Sequence, residues 1–124
     1  MTAIGRAQLS DATEILALQK LAYQSEAAIY NDHTIPPLLQ TLEETLADFA
    51  EQVVLKIVDG GRIVGSVRAY EQDGTCFIGK LIVHPDHQNH GLGTHLLREI
   101  EVTFEGAARF ELFTGSKSAK DPGG

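Results

Sequence analysis

The sequence predicts a single α/β domain over residues 1–124, with a mixed, mostly antiparallel central sheet flanked by helices. Three observations point there. Apolar residues recur at helical spacing in 15–22 and 42–49, and the pattern then changes to apolar, strand-like runs over 53–83. Two turn signals, Asp59-Gly60-Gly61 and Asp73-Gly74, divide that stretch into the three strands of a meander. From Thr75 onward a strand, a helix and another strand follow each other, an order that allows a right-handed crossover and parallel pairing.

The elements follow in chain order. Residues 3–9 read as a short first strand. Asp11 with Glu14 three places on has the logic of a capping box and opens a helix carrying Ile15, Leu18 and Ala22 on one face. Pro36-Pro37 ends any helix before it. Thr41-Leu42-Glu43-Glu44 is a second capping box, and the helix it starts has Leu42, Leu46 and Phe49 as its expected inner face. Val53–Val58, Arg62–Tyr70 and Thr75–Val83 are the three meander strands. A helix with Leu92, Leu96, Ile100 and Phe104 along one side comes next, and Arg109–Thr114 is the last strand. The remainder, 116–124, reads as a frayed tail.

Composition narrows the function. Apolar residues make up 43% of the 124 and charged residues 22%, ordinary values for a globular domain. A formal net charge of −7 argues against nucleic acid and against anionic membrane surfaces, both of which call for a basic face. One cysteine, Cys76, leaves no internal disulfide and suits a reducing compartment. With no apolar run of the ~18–20 residues a bilayer requires, and no apolar signal core near Met1, the expectation is a cytoplasmic protein.

The most informative stretch is Lys80-Leu81-Ile82-Val83-His84-Pro85-Asp86-His87-Gln88-Asn89-His90-Gly91-Leu92-Gly93-Thr94. An apolar strand leads through a proline turn and a glycine-punctuated loop into a helix. The first amides of such a helix have no intrahelical acceptor, and its dipole end is positive, so it attracts phosphate. Gln88-Asn89-His90-Gly91-Leu92-Gly93 resembles the acyl-CoA signature of the GNAT superfamily of N-acetyltransferases, Gln/Arg-x-x-Gly-x-Gly/Ala after a strand. The order of elements is similar to the β-α-α-β-β-β-α-β core of that superfamily over about residues 3–115.

The resemblance implies acetyl-CoA as co-substrate and transfer of its acetyl group to a small-molecule or peptide amine in a ternary complex. It implies that backbone amides from Gln88 through Thr94 (Gln88, Asn89, His90, Gly91, Leu92, Gly93, Thr94) hold the pyrophosphate. Leu81, Ile82 and Val83 would line the thioester and pantetheine arm, and the Val83 N–H would stabilise the oxyanion. The acceptor pocket would come from the first helices and the 23–40 loop. An amine with a pKa near ~10 must lose a proton before attack. Glu26, Glu71, Asp73 or an ordered water are the candidates to take it.

Superfamily members usually continue with a further helix, often bearing a tyrosine acid, and one or two more strands. Against that pattern this chain is expected to lack them. The last strand would then present an open edge, which implies a homodimer. Two alternatives share the same sequence: a non-catalytic acyl-CoA-binding module, and an interaction fragment without activity.

Four histidines (His84, His87, His90, His95) fall within twelve positions, but they run along a strand end and an open loop. Solvated loop residues are expected there, and no metal. Cys76 is expected as a small buried hydrophobe rather than an acyl carrier.

Overall fold

The computed structural model describes residues 2–30, 39–87 and 91–112, with 25–30 as backbone. Among these residues five strands form one sheet in sequence order. β1 (Thr2–Arg6), β2 (Val53–Asp59), β3 (Arg62–Gln72) and β4 (Thr75–Val83) are antiparallel neighbours. β5 (Arg109–Leu112) runs parallel to β4, in register from Thr75↔Arg109 to Ile78↔Leu112. Among the described residues three helices accompany the sheet: α1 (Ala12–Tyr30), α2 (Leu42–Glu51) and α3 (Leu92–Thr103). The mixed, mostly antiparallel α/β architecture expected from the sequence is the one observed.

The two faces of the sheet follow from strand alternation. On one face α3 sets Leu92, Leu96 and Ile100 against Leu55, Ile57, Val67, Ala69, Cys76 and Ile78. Full burial of each such aliphatic side chain contributes roughly 1.5–3 kcal/mol. On the opposite face Ile15, Leu18 and Tyr23 of α1 pack with Val54, Ile63 and Ile82. At Gly65, a Cβ would meet Leu96 Cδ1 at 3.3 Å and the Ile82 carbonyl oxygen at 3.5 Å, so α3 packs closely on β3 there.

One residue of β3, Val67, lies opposite two of β4. The register steps from Ser66↔Ile82 to Arg68↔Gly79, leaving Lys80 and Leu81 together as a bulge. Lys80 has a positive φ of 49° within it.

Several local expectations change. The first strand is shorter than 3–9, because residues Leu9–Asp11 turn into a 3-10 helix. Asp11 does not cap α1 with Glu14. Its carboxylate accepts the Gln8 N–H at 2.9 Å, while Glu14 reaches across and accepts the Ile63 N–H of β3 at 2.9 Å. The Thr41–Glu44 capping box forms as expected, with reciprocal bonds of 3.0 and 3.1 Å. Its helix, however, is rotated: Leu42 and Leu46 are 41% and 37% exposed, while Thr45 is buried and Asp48 points at the sheet. The cause is a buried arginine on β3, described below. β5 is described over Arg109–Leu112, with all four residues exposed, and the expected continuation to Thr114 lies outside the described residues. The expected tail, 116–124, lies outside the described residues.

Candidate functional site

A cleft of ≈ 380 Å³ opens where the end of β4 meets the start of α3, lined by Leu81, Val83, His87, Gly91, Leu92, Gly93 and Thr94. Its floor exists because the bulge resets the alternation of β4, turning Leu81 and Val83 to the α3 face. Its rim exists because Gly91, the N-cap of α3, adopts a left-handed conformation with φ 77°. An L-residue there would be strained by roughly 1–2 kcal/mol, whereas glycine is not. The first intrahelical bond joins the His95 N–H to the Gly91 carbonyl at 3.0 Å. The amides of Leu92, Gly93 and Thr94 precede it, have no acceptor within the helix, and sit at its positive end.

Six sequence-predicted positions therefore converge: Leu81, Val83, Gly91, Leu92, Gly93 and Thr94. Ile82 does not join them with its side chain, which is buried on the opposite face beside Ile15 and Leu18. The alternation of a strand dictates that split. Val83 faces Gly65, and the next pair is bonded, with the His84 N–H on the Val64 carbonyl at 2.8 Å. Val83's own amide is consequently directed away from β3. Gln88, Asn89 and His90 lie outside the described residues, as does the Glu26 side chain.

Glu71 is exposed and opposite Cys76, near the β3–β4 turn, so the register separates it from Leu81 and Val83 by most of β4. Asp73 sits in that turn. Cys76 is fully buried, and burial, with the Glu71 charge adding to it, pushes its thiol pKa up. It stays a protonated core residue, as expected.

The histidines depart from the expected solvated loop. His84 and His87 are half-buried with rings edge to face at 5.5 Å. His84 Nδ1 accepts the Asp86 N–H at 3.0 Å. His87 lines the cleft, its Nε2 is 3.4 Å from Asp59 Oδ2, and its Nδ1 is buried without a hydrogen-bond partner among the described residues. His95 is exposed on α3.

On the other face, beneath α1 and α2, lies a polar cluster that the sequence reading missed. Arg68 of β3 is 1% exposed. Its Nη2 donates to Gln19 Oε1 at 2.8 Å, and its Nη1 donates to Asp48 Oδ2 at 2.6 Å and to Gln40 Oε1 at 3.2 Å. Gln40 is buried too, accepting from Gln19 Nε2 at 2.9 Å and donating to the same Asp48 oxygen at 3.0 Å. Lys80 Nζ stands 3.7 Å from Asp48 Oδ2. Burial lowers the Lys80 pKa and the nearby Arg68 charge lowers it further, while Asp48 opposes both. The available signal was a single charged residue inside each of two otherwise small or apolar strand segments, Gly65–Ala69 and Ile78–Val83.

The profile of the acetyltransferase (GNAT) family matches residues 13–118. The fold is similar to that of a PaiA N-acetyltransferase from Thermoplasma acidophilum, solved in complex with coenzyme A. The TM-score there is 0.81 at 15% identity, over 91% of this chain and 79% of that one. A GNAT family acetyltransferase from Brucella melitensis, solved with acetyl-CoA, gives 0.67 at 19% identity over 92% and 75%. An acetyltransferase from Trypanosoma brucei gives 0.63 at 26% identity over 95% and 86%. Among curated proteins none matches the chain in sequence.

Proposed function

Because this chain belongs to the GNAT acetyltransferase family, we propose that it transfers the acetyl group of acetyl-CoA to the nitrogen of a small-molecule or peptide amine, directly, in a ternary complex. The observation that carries this reading is the cleft in which the left-handed Gly91 start of α3 meets Leu81 and Val83 of β4. Structures of similar fold solved with coenzyme A or acetyl-CoA support it.

In this reading the amides of Leu92, Gly93 and Thr94, with the preceding Gln88, Asn89 and His90, receive the pyrophosphate. The pantetheine arm lies along Leu81, Val83 and the main chain of Ile82. The amine nitrogen attacks the thioester carbonyl carbon, a C–N bond forms, and the C–S bond breaks. Charge gathers on the carbonyl oxygen, where the Val83 amide is the donor we assign. CoA departs as a thiolate, tolerable without a dedicated acid because a thiol has a pKa of ~8.5. The amine's surplus proton passes to a base, for which Glu26 at the end of α1 is preferred over Glu71, whose place near the β3–β4 turn argues against it.

We also assign a homodimer across β5, whose Phe110 and Leu112 are 37% and 57% exposed. Sedimentation showing only monomer at micromolar concentration would remove that part.

Melting the protein with and without millimolar acetyl-CoA tests the cleft. Saturation at ~100 times the dissociation constant adds roughly 2.7 kcal/mol, a rise on the order of 10 °C. Gly91→Glu places bulk and a like charge in the phosphate cradle and should abolish the rise. Gly91→Ala carries the same backbone strain without the charge and controls for stability. Undiminished CoA binding in Gly91→Glu would refute the site. The position of Glu71 also favours the rival reading, an acyl-CoA-binding module without turnover. Release of CoA thiol in the presence of amines separates the two.

A further inference from the structure

We infer that the acceptor carries a carboxylate as well as its amine, and that Lys80, on the bulge of β4, is the side chain that recognises it. This rests on the acetyltransfer reading above and names the substrate class for that same site.

The two bulge residues point to different faces of the sheet. Leu81 lines the cleft assigned to the acetyl donor, whereas Lys80 turns to the α1–α2 face and approaches Asp48 of α2. On this proposal an amine reaching the thioester from that face passes the lysine head. The position is costly for lysine: φ is 49°, a region that glycine occupies freely and other residues occupy at roughly 1–2 kcal/mol. Strain of that kind gathers where a side chain has a task beyond packing.

Charge accounting gives the task. Asp48 Oδ2 has three cationic or amide neighbours: Arg68 at 2.6 Å, Gln40 at 3.0 Å and Lys80 at 3.7 Å. The first two are hydrogen bonds, and the lysine makes the longest of the three contacts, an ion pair. Among the described residues its ammonium has no other ion pair, and the side chain is 26% exposed. Glu44, the other carboxylate on α2 whose charge Lys80 feels, is held by the Thr41 N–H and is exposed. Arg68 itself is enclosed by Gln19, Gln40 and Asp48. One half-buried carboxylate thus serves two cations, and the accessible one, reaching it only at 3.7 Å, has donors to spare. A ligand carboxylate completes the set.

The same cations oppose a second positive charge. Diamines and polyamines are disfavoured at this face. An acceptor ammonium held beside Lys80 loses its proton more readily, because a like charge favours the neutral form. Amino acids and their close derivatives combine the carboxylate and the single amine that this environment selects.

The test uses matched acceptors, each α-amino acid against its decarboxylated amine, with CoA thiol release giving kcat/KM. Wild type should prefer the carboxylated member, and Lys80→Gln should cut that ratio roughly tenfold, about the effect of one ion pair worth 1.4 kcal/mol. Lys80→Arg should keep most of it. In parallel, the CoA-saturated proteins are melted with each member of the pairs. The carboxylated ligands should raise the wild-type Tm more, and this advantage should vanish in Lys80→Gln. If CoA raises the Tm but carboxylated and decarboxylated ligands perform alike, or their ratio survives Lys80→Gln, the inference is overturned while acetyltransfer stands. If CoA produces no shift at all, the acetyltransfer reading fails and takes the inference with it.

Discussion

Arg68 is the residue on which most of the unforeseen structure turns. A guanidinium that is 1% exposed on a central strand is tolerable only because Asp48, Gln19 and Gln40 converge on it. Its partners come from α1, the residue before the Thr41 cap of α2, and α2, so one side chain organises three separate segments. Replacing it with Met leaves Asp48 without its closest donor, and breaking a buried pair in this way costs about 3 kcal/mol. Chemical denaturation of Arg68→Met should show that loss, and pairing it with Asp48→Leu should recover a large part. A loss of only a few tenths would mean the cluster contributes nothing to holding α1 and α2 on the sheet. In the sequence, Arg68 and Lys80 stand out as charges in strand segments, but nothing in a linear pattern says that both meet the same aspartate.

At the scale of elements, the strands of the meander were legible within two residues, because turn chemistry and period coincide at Asp59-Gly60-Gly61 and Asp73-Gly74. The capping box at Thr41 was legible for the same reason: both of its bonds are local. The inner face of α2 was not. Hydrophobic spacing selects Leu42 and Leu46, whereas the helix turns Thr45 and Asp48 inward to meet a charge twenty residues later. Asp11 was also misread, since its partners are Gln8 and Lys56 of β2, at 2.9 and 2.7 Å. The Gln8 N–H first, and Lys56 after it, hold the Asp11 carboxyl below its ordinary pKa. A depressed acid stabilises the fold above its unfolded pKa of about 4, and that contribution is lost as pH falls through the lower folded value. Asp11→Asn should therefore lower the Tm at pH 7, and the gap to wild type should close by about pH 2. A gap that stays constant with pH would show that charge is not its source.

For the whole molecule, the order of strands and helices and the place of the cleft were both readable, because the cleft depends on backbone: a glycine at a helix start and the end of an apolar strand. The polar cluster beneath α1 and α2 was unreadable because it depends on side chains brought together from α1, α2, β3 and β4. Gly65 belongs to this scale. It lies opposite Val83, beneath Leu96, in a space where one more carbon would press on the Leu96 methyl. It acts as the missing shim between sheet and helix, and thereby sets the gauge of the cleft from behind. Gly65→Ala should lift α3 by a few tenths of an ångström and weaken acetyl-CoA binding severalfold by calorimetry, although the added methyl never meets the ligand. Unchanged affinity would mean that Leu96 yields and the helix does not. A site made of main-chain groups can thus be retuned by a position that no ligand-contact survey would include, and the bore of this cleft is set by the absence of a side chain.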